Sequence, residues 1–327
     1  GNANAFTGKA GDASVARTVA AASALVGSAR HEVFVASTGV IGEPLPDERI
    51  IAGLDGLAAD LRADAWDAAA AAIMTTDTFP KLATRTAAIG GVPVTINGIA
   101  KGSGMIGPDM ATMLAFVATD AKLPATVLQP LLARGADRSF NATTVDGDTS
   151  TSDTLLLCAT GQARHRPVVT PGDRRLADFR ARLDDLLVDL ACQVVRDGEG
   201  ATKLITIDIT GAATDRAARR IGLAVGNSPL VKTAIAGQDA NWGRIVMAVG
   251  KAGERADRDR MKIAIGGIVI AENGQRRSGY DEAPVAAHMK GRDIAIAVDV
   301  GIGKGKARLW TCDLTHGYID INADYRS

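Results

Sequence analysis

Residues 101–121 read KGSGMIGPDMATMLAFVATDA, and two different folds are compatible with them. In the first, Gly102, Gly104 and Gly107 form a Gly-x-Gly-x-x-Gly element after a strand-like run, with Asp120 lying 18 residues beyond Gly102. A dinucleotide site needs that element to open a helix inside a βαβ unit, so that the pyrophosphate meets the helix N-terminus. Here Pro108 and the strand-like run 112–119 (TMLAFVAT) follow, and the next helical pattern begins only after Lys122. In the second, the glycines form a loop that delivers Thr112 to the start of a strand. A threonine hydroxyl is a weak nucleophile until the peptide bond before it is broken. The freed α-amine, with an ordinary pKa of about 7.7–8.0, then serves as its general base. Attack on the preceding carbonyl needs a tight turn and a small neighbour, and Ala111 is small.

Outward from this segment, strand and helix patterns alternate, which predicts an α/β fold. Residues 82–89 and 92–99 are strand-like and flank Gly90-Gly91, a hairpin signal. Residues 31–36 (HEVFVA) also read as a strand. Helices are expected after a cap at Asp12 (through Val15, Val19 and Leu25), over 44–61, over 64–73 and over 124–136. The longest amphipathic stretch is 171–196. There Leu176, Phe179, Leu183, Leu186, Leu187, Leu190 and Val194 share one helical face, a core-packing stripe. Gly198 and Gly200 end it, and 197–201 is the best candidate for a sub-domain break. Strand-like runs follow at 204–209, 261–270, 293–300 and 307–312, interleaved with helical patterns at 216–225 and 242–249.

Composition narrows the function classes. The 327 residues are 46% hydrophobic and 23% charged, and Lys+Arg 37 balance Asp+Glu 37. Neutral charge argues against a nucleic-acid partner or an acidic membrane surface. No apolar run reaches the roughly 18 residues of a membrane span. Cys158, Cys192 and Cys312 are odd in number, far apart and outside any Cys-x-x-Cys pattern, which favours a reducing, cytoplasmic compartment. The four histidines lack ligand spacing, so no metal site is expected. Asp146, Asp148 and Asp153 fall in a calcium-loop-like run that lacks the closing Glu, so a turn leading into a helix or strand is expected there. The chain does not open on Met, and GNANAFTGKAG (1–11) reads like the interior of a fold, so a fragment or processed chain is expected.

The segment 101–121 closely resembles the autoprocessing site of the ornithine acetyltransferase (glutamate N-acetyltransferase) family of arginine biosynthesis. So do GNANAFTGKAG (1–11), ASTGVIGEPLP (36–46), SFNATTVDGDTSTSDT (139–154), DGEGATK (197–203), GNSPLVKTAIAGQDANWGR (226–244) and GYIDINADYRS (317–327), in the same order along the whole chain. The resemblance implies an ornithine-acetyltransferase-type layered sandwich of helices and sheets, N-terminal-nucleophile-like in logic. It implies cleavage between Ala111 and Thr112, giving an α-chain of residues 1–111 and a β-chain of residues 112–327 that stay associated as a heterotetramer. Thr112 would be the nucleophile, with Thr38 and Gly39 forming the oxyanion hole. Thr78, Lys101, Thr112, Glu199, Asn322 and Ser327 would bind substrate. The implied reaction moves the acetyl group of N2-acetylornithine to glutamate through an acetyl-Thr112 ester, without metal or organic cofactor, and some members also accept acetyl-CoA. By their sequence setting alone, Lys101 reads as a solvated loop lysine and Glu199 as an exposed residue at a helix end.

Departures from the family pattern are Gln238 for a usual Glu, Ala240 for Pro and Ser152 for Asn. Family members also carry a segment before GNANA, without which strands of the first lobe would lose partners. The alternatives are a related self-processing aminopeptidase or amidohydrolase, an unprocessed chain that binds ligand without turnover, and a nucleotide-binding module built on GSGMIG.

Overall fold

A computed structural model describes residues 1–104, 113–148 and 150–323. In chain order its helices are α1 (Gly8–Val26), α2 (Asp47–Ala59), α3 (Trp66–Ala72), α4 (Ala125–Arg138), α5 (Ala177–Arg196), α6 (Asp215–Gly226), α7 (Pro229–Ala236), α8 (Trp242–Gly250), α9 (Glu282–Met289) and α10 (His316–Ala323). Its strands are β1 (Lys81–Ile89), β2 (Val92–Lys101), β3 (Leu114–Thr119), β4 (Thr143–Thr144), β5 (Thr154–Ala159), β6 (Leu204–Ala212), β7 (Lys262–Ile265), β8 (Ile268–Glu272), β9 (Gln275–Arg276), β10 (Asp293–Asp299) and β11 (Gly305–Cys312). The chain is α/β, with helices packed on sheets, and it divides into two compact units. The first comprises Gly1–Gly102, Asp109–Leu128 and Thr149–Arg182; the second comprises Ser103–Pro108, Gln129–Asp148 and Leu183–Ser327.

The first unit is organised by a sheet in the order β1-β2-β3-β5. Gly90 and Gly91 take φ of 59° and 84°, the left-handed values that close the predicted β1–β2 hairpin with Ile89 opposite Val92. At the other end of the sheet Lys101 pairs with Leu114, and Leu114 pairs with Thr154. One row therefore holds the last residue of β2 and the first residues of β3 and β5. This is where the glycine loop begins and ends.

Two expectations fail in this unit. Helix α1 starts at Gly8 behind Thr7, so Asp12 lies inside the helix; Thr7 Oγ1 donates to Asn4 instead, and Gly11 fits only because it has no Cβ to strike the Thr7 side chain. Residues 31–36 are not a strand. Val33 N–H closes a 3-10 turn onto Arg30, and no described strand lies beside them. The backbone pairing here falls further on, where Val40 bridges Asn2. Phe34 is left 69% exposed.

The second unit is built on the sheet β4-β11-β6-β10-β7-β8-β9. Ile205, Ile207 and Ile209 of the inner strand β6 are fully buried, as are Ile221 and Val225 on the facing side of α6. A Cβ on Gly222 would come within 2.0 Å of Leu309, so glycine there lets the helix sit close on the sheet. The run 261–270 is two strands: Gly266 and Gly267, at φ of 60° and 80°, turn β7 back into β8. Helix α7 carries a plain signal, a Ser228 N-cap accepting from Val231 N–H with Pro229 at the first helical position. The stripe on α5 is core as expected: Phe179, Leu186, Leu187 and Leu190 are fully buried. Residues 197–201 form the turn from α5 into β6, inside the second unit. Leu190→Ala should lower unfolding free energy by about 2–5 kcal/mol, read from urea denaturation followed by circular dichroism.

Candidate active site

At the loop end of the first sheet, two lysines are buried. Lys81 is 0% and Lys101 1% exposed, too costly unless each ammonium is compensated. Asp77, itself buried, supplies much of that compensation. Its Oδ1 accepts from Lys81 Nζ (2.6 Å) and from the Gly102 amide (2.7 Å), and its Oδ2 accepts from the Thr75 amide (3.1 Å). Burial pushes the Asp77 carboxyl up, but the Lys81 ammonium and the two amides outweigh it and hold the pKa below the ordinary value. The Gly102 amide is reachable because Gly102 sits at φ 134°, a backbone state closed to most residues. Lys101 Nζ donates to Thr75 Oγ1 at 2.9 Å. Burial lowers the Lys101 pKa; Asp77 and Asp153 oppose that, and Lys81 adds to it.

The second carboxylate of note is Asp153. Its Oδ1 accepts the Met113 amide proton at 2.7 Å, and burial pushes the group up to about 7 against the pull of that amide, Ser150 and Lys101.

Thr38 and Gly39 lie in a turn packed against the first residues of the chain. Val40 N–H donates to Gly1 O (2.9 Å) and Ala3 N–H to Val40 O (2.9 Å). Gly39 takes φ 133°, and a Cβ there would fall 1.9 Å from Gly1 O, so only glycine fits. Thr38 Oγ1 is buried and has no hydrogen-bond partner among the described residues. A buried hydroxyl left unpaired costs about 1–3 kcal/mol.

In the second unit, Glu199 and Asn322 meet although 123 residues separate them, with Asn322 Nδ2 donating to Glu199 Oε2 at 2.8 Å. The turn after α5 makes this possible. Gly200, at φ 69°, admits the backbone of Gly317 and Tyr318 where any Cβ would collide, and Thr315 Oγ1 donates to Gly200 O at 2.6 Å. The Glu199 amide donates to Ser103 O at 2.7 Å. Tyr318 OH donates to Asp146, and burial together with that carboxylate pushes its pKa up to about 12. Glu199 is thus half-buried in an acidic corner closed by the C-terminal helix.

Of the expected site residues, Thr38 and Gly39 share one turn, Lys101 ends β2, and Glu199 and Asn322 touch. Lys101 differs from its sequence reading: it belongs to a strand and is buried, because Thr75 and the neighbouring carboxylates replace its water. Thr78 is exposed, and Thr75 is the threonine that holds Lys101. Ala111, Thr112 and Ser327 lie outside the described residues, as does Gly107 of the glycine loop. Among the described residues the next element after the loop is strand β3, not the helix that the nucleotide reading requires. Sequence reasoning missed Asp77, Lys81 and Thr75, and it read Asp153 only as part of a calcium-loop-like run. The spacing of Asp77 and Lys81 offered the only local hint, and burial of both cannot be read from spacing.

Comparison with known proteins agrees with this architecture. The model of the ArgJ family matches residues 1–327. Arginine biosynthesis bifunctional protein ArgJ of Gluconobacter oxydans is 62% identical over 327 residues, covering 100% of this chain and 77% of that protein. The protein of the same name from Mesorhizobium japonicum is 59% identical, covering 100% of this chain and 80% of that one. A crystal structure of arginine biosynthesis bifunctional protein ArgJ from Bacillus halodurans superimposes with a TM-score of 0.62 at 42% identity, over 64% of this chain and 98% of that one. The chain belongs to the ArgJ family, acyltransferases of arginine biosynthesis.

The Asp77 cluster predicts a pH signature. Asp77→Ala leaves the Lys81 ammonium without its carboxylate, and a loss of about 3–5 kcal/mol is expected. Because the folded pKa of Asp77 is lowered, its contribution is present above the unfolded value of about 3.9 and is lost as pH falls below it. Urea titrations at pH 7 and below pH 4 should therefore show the gap between wild type and variant narrowing in acid.

Proposed function

We propose that this enzyme transfers the acetyl group of N2-acetylornithine to glutamate, with Thr112 as a nucleophile set free by cleavage of the Ala111–Thr112 bond. The observation that carries the reading is the buried Thr38 hydroxyl, without a partner among the described residues, in the turn held by Gly39. A donor kept dry and fixed is what a developing oxyanion requires, and such donors are typically worth about 2.7–4 kcal/mol in the transition state.

In the first half-reaction the Thr112 hydroxyl loses its proton to its own α-amine and its oxygen attacks the acetyl carbonyl. Thr38 and Gly39 stabilise the tetrahedral oxyanion. The C–N bond then breaks, the ornithine amine takes the proton, and an acetyl-Thr112 ester remains. In the second half-reaction the amine of glutamate attacks that ester and the Thr112 oxygen leaves, giving N-acetylglutamate and the free enzyme. Lys101 is the cation for a substrate carboxylate. Glu199, paired with Asn322, receives the cationic side-chain amine of ornithine, and Thr78 and Ser327 complete substrate binding. Acetyl-CoA is a further acetyl donor for glutamate in this scheme. The processed α- and β-chains stay together as a heterotetramer that works in the cytoplasm. The scheme draws on no metal or organic cofactor.

Intact-mass measurement of the purified 33.7 kDa chain should find two pieces of roughly 11 and 22 kDa, with Thr112→Ala remaining whole and inactive. Acetyl transfer should depend on glutamate. A Thr112→Ala protein that still splits at that bond, or acetylornithine hydrolysis at the same rate without glutamate, would count against the reading.

A further inference from the structure

The row Lys101–Leu114–Thr154 ends the first sheet, and beyond it the ladder continues by a side chain. Thr154 N–H donates to Met113 O at 2.9 Å, and the Met113 amide in turn donates to Asp153 Oδ1 at 2.7 Å. Both backbone groups of Met113 are therefore held by two consecutive residues. The nitrogen that Asp153 holds is covalently bonded to the carbonyl carbon of residue 112. A carboxylate in this place differs from a backbone carbonyl in one respect: it can carry charge.

We propose that Asp153 is a positioning residue for the Thr112 nucleophile, fixing the Met113 amide, the next backbone group along the chain, and supplying, opposite Lys101, the negative charge at that strand end. This rests on the reading that Thr112 is the nucleophile. Among the described residues, Lys101 on β2 bears on Asp153, and through Lys101 so does the Asp77–Lys81 pair; Ser150 hydrogen-bonds to its carboxyl group. With the Asp153 carboxyl pushed up to about 7 by burial, its ionisation falls in the working pH range. Its charged form is the better acceptor for the Met113 amide and the better counter-ion for Lys101. Activity should rise as it ionises, in addition to the rise that follows deprotonation of the threonine α-amine.

The test uses the full chain as wild type, Asp153→Asn, Asp153→Glu and Ser150→Ala. Intact mass reports cleavage, and kcat and KM for acetyl transfer from N2-acetylornithine to glutamate are measured from pH 5.5 to 9. In wild type, log(kcat/KM) should climb with a slope of about two below pH 7, one proton from each group. Asp153→Asn keeps an oxygen acceptor but no charge. Its slope should fall to about one and its kcat by at least about tenfold, with KM within about twofold. Asp153→Glu should recover part of the kcat and the steeper slope. Ser150→Ala removes a hydrogen bond that favours the charged form, so the lower break should move to higher pH; this variant decides the matter if Asp153→Asn does not fold. Active wild type with Asp153→Asn matching it in kcat and slope, or Ser150→Ala with an unmoved break, overturns this inference alone. Wild type that neither cleaves nor transfers acetyl overturns the underlying reading, and this inference with it.

Discussion

The carboxylate of Asp77 is the interaction on which the first unit's candidate site depends. A buried ammonium is unaffordable alone, and Lys81 is wholly buried beside it, with the Phe79 ring 4.8 Å from Lys81 Nζ. By taking the Lys81 ammonium and the Gly102 amide on one oxygen and the Thr75 amide on the other, Asp77 ties together the entry to β1, the exit from β2 and the threonine that holds Lys101. Removing the Asp77 carboxylate takes the counter-charge from a wholly buried ammonium, where the loss is most costly.

Charge placement at that strand end is not a matter of stability alone. Desolvation moves Lys101 and Asp153 in opposite directions, the ammonium down and the carboxyl up, so the two protonation states lie closer together than in water. Groups tuned this way are common where proton transfers occur near neutral pH. The thiols show the contrast. Burial pushes Cys192 up to about 12 and raises Cys312 as well, so neither is a nucleophile at neutral pH.

Glycines do the corresponding work where backbones must approach. Gly39 admits the carbonyl of Gly1, Gly200 admits the backbone of Tyr318, and Gly222 admits the side chain of Leu309. Two of these contacts bring distant stretches of chain to a candidate site residue, Thr38 in one case and Glu199 with Asn322 in the other. A methyl group at either place would prise apart what the hydrogen bonds hold.

How much of this was legible without coordinates follows from the range of the forces involved. The Gly90-Gly91 hairpin, the buried stripe on α5 and the strand after residue 112 are written in local conformational preference and in periodicity, and they were readable. Residues 31–36 have the right side chains for a strand but no described neighbour to pair with, and pairing is never local. The glycines that split β7 from β8 were visible as Gly266-Gly267, yet their turn was passed over inside an apolar run. The long matches to a known family pointed to Thr38, Gly39, Lys101, Glu199 and Asn322 one by one. Their environment belongs to the tertiary structure alone: a lysine that looked solvated is buried, a hydroxyl has no partner among the described residues, and Asp77 and Asp153 hold key amides. Desolvation and hydrogen bonding depend on what surrounds a group in space, and chain neighbours supply only a small part of those surroundings.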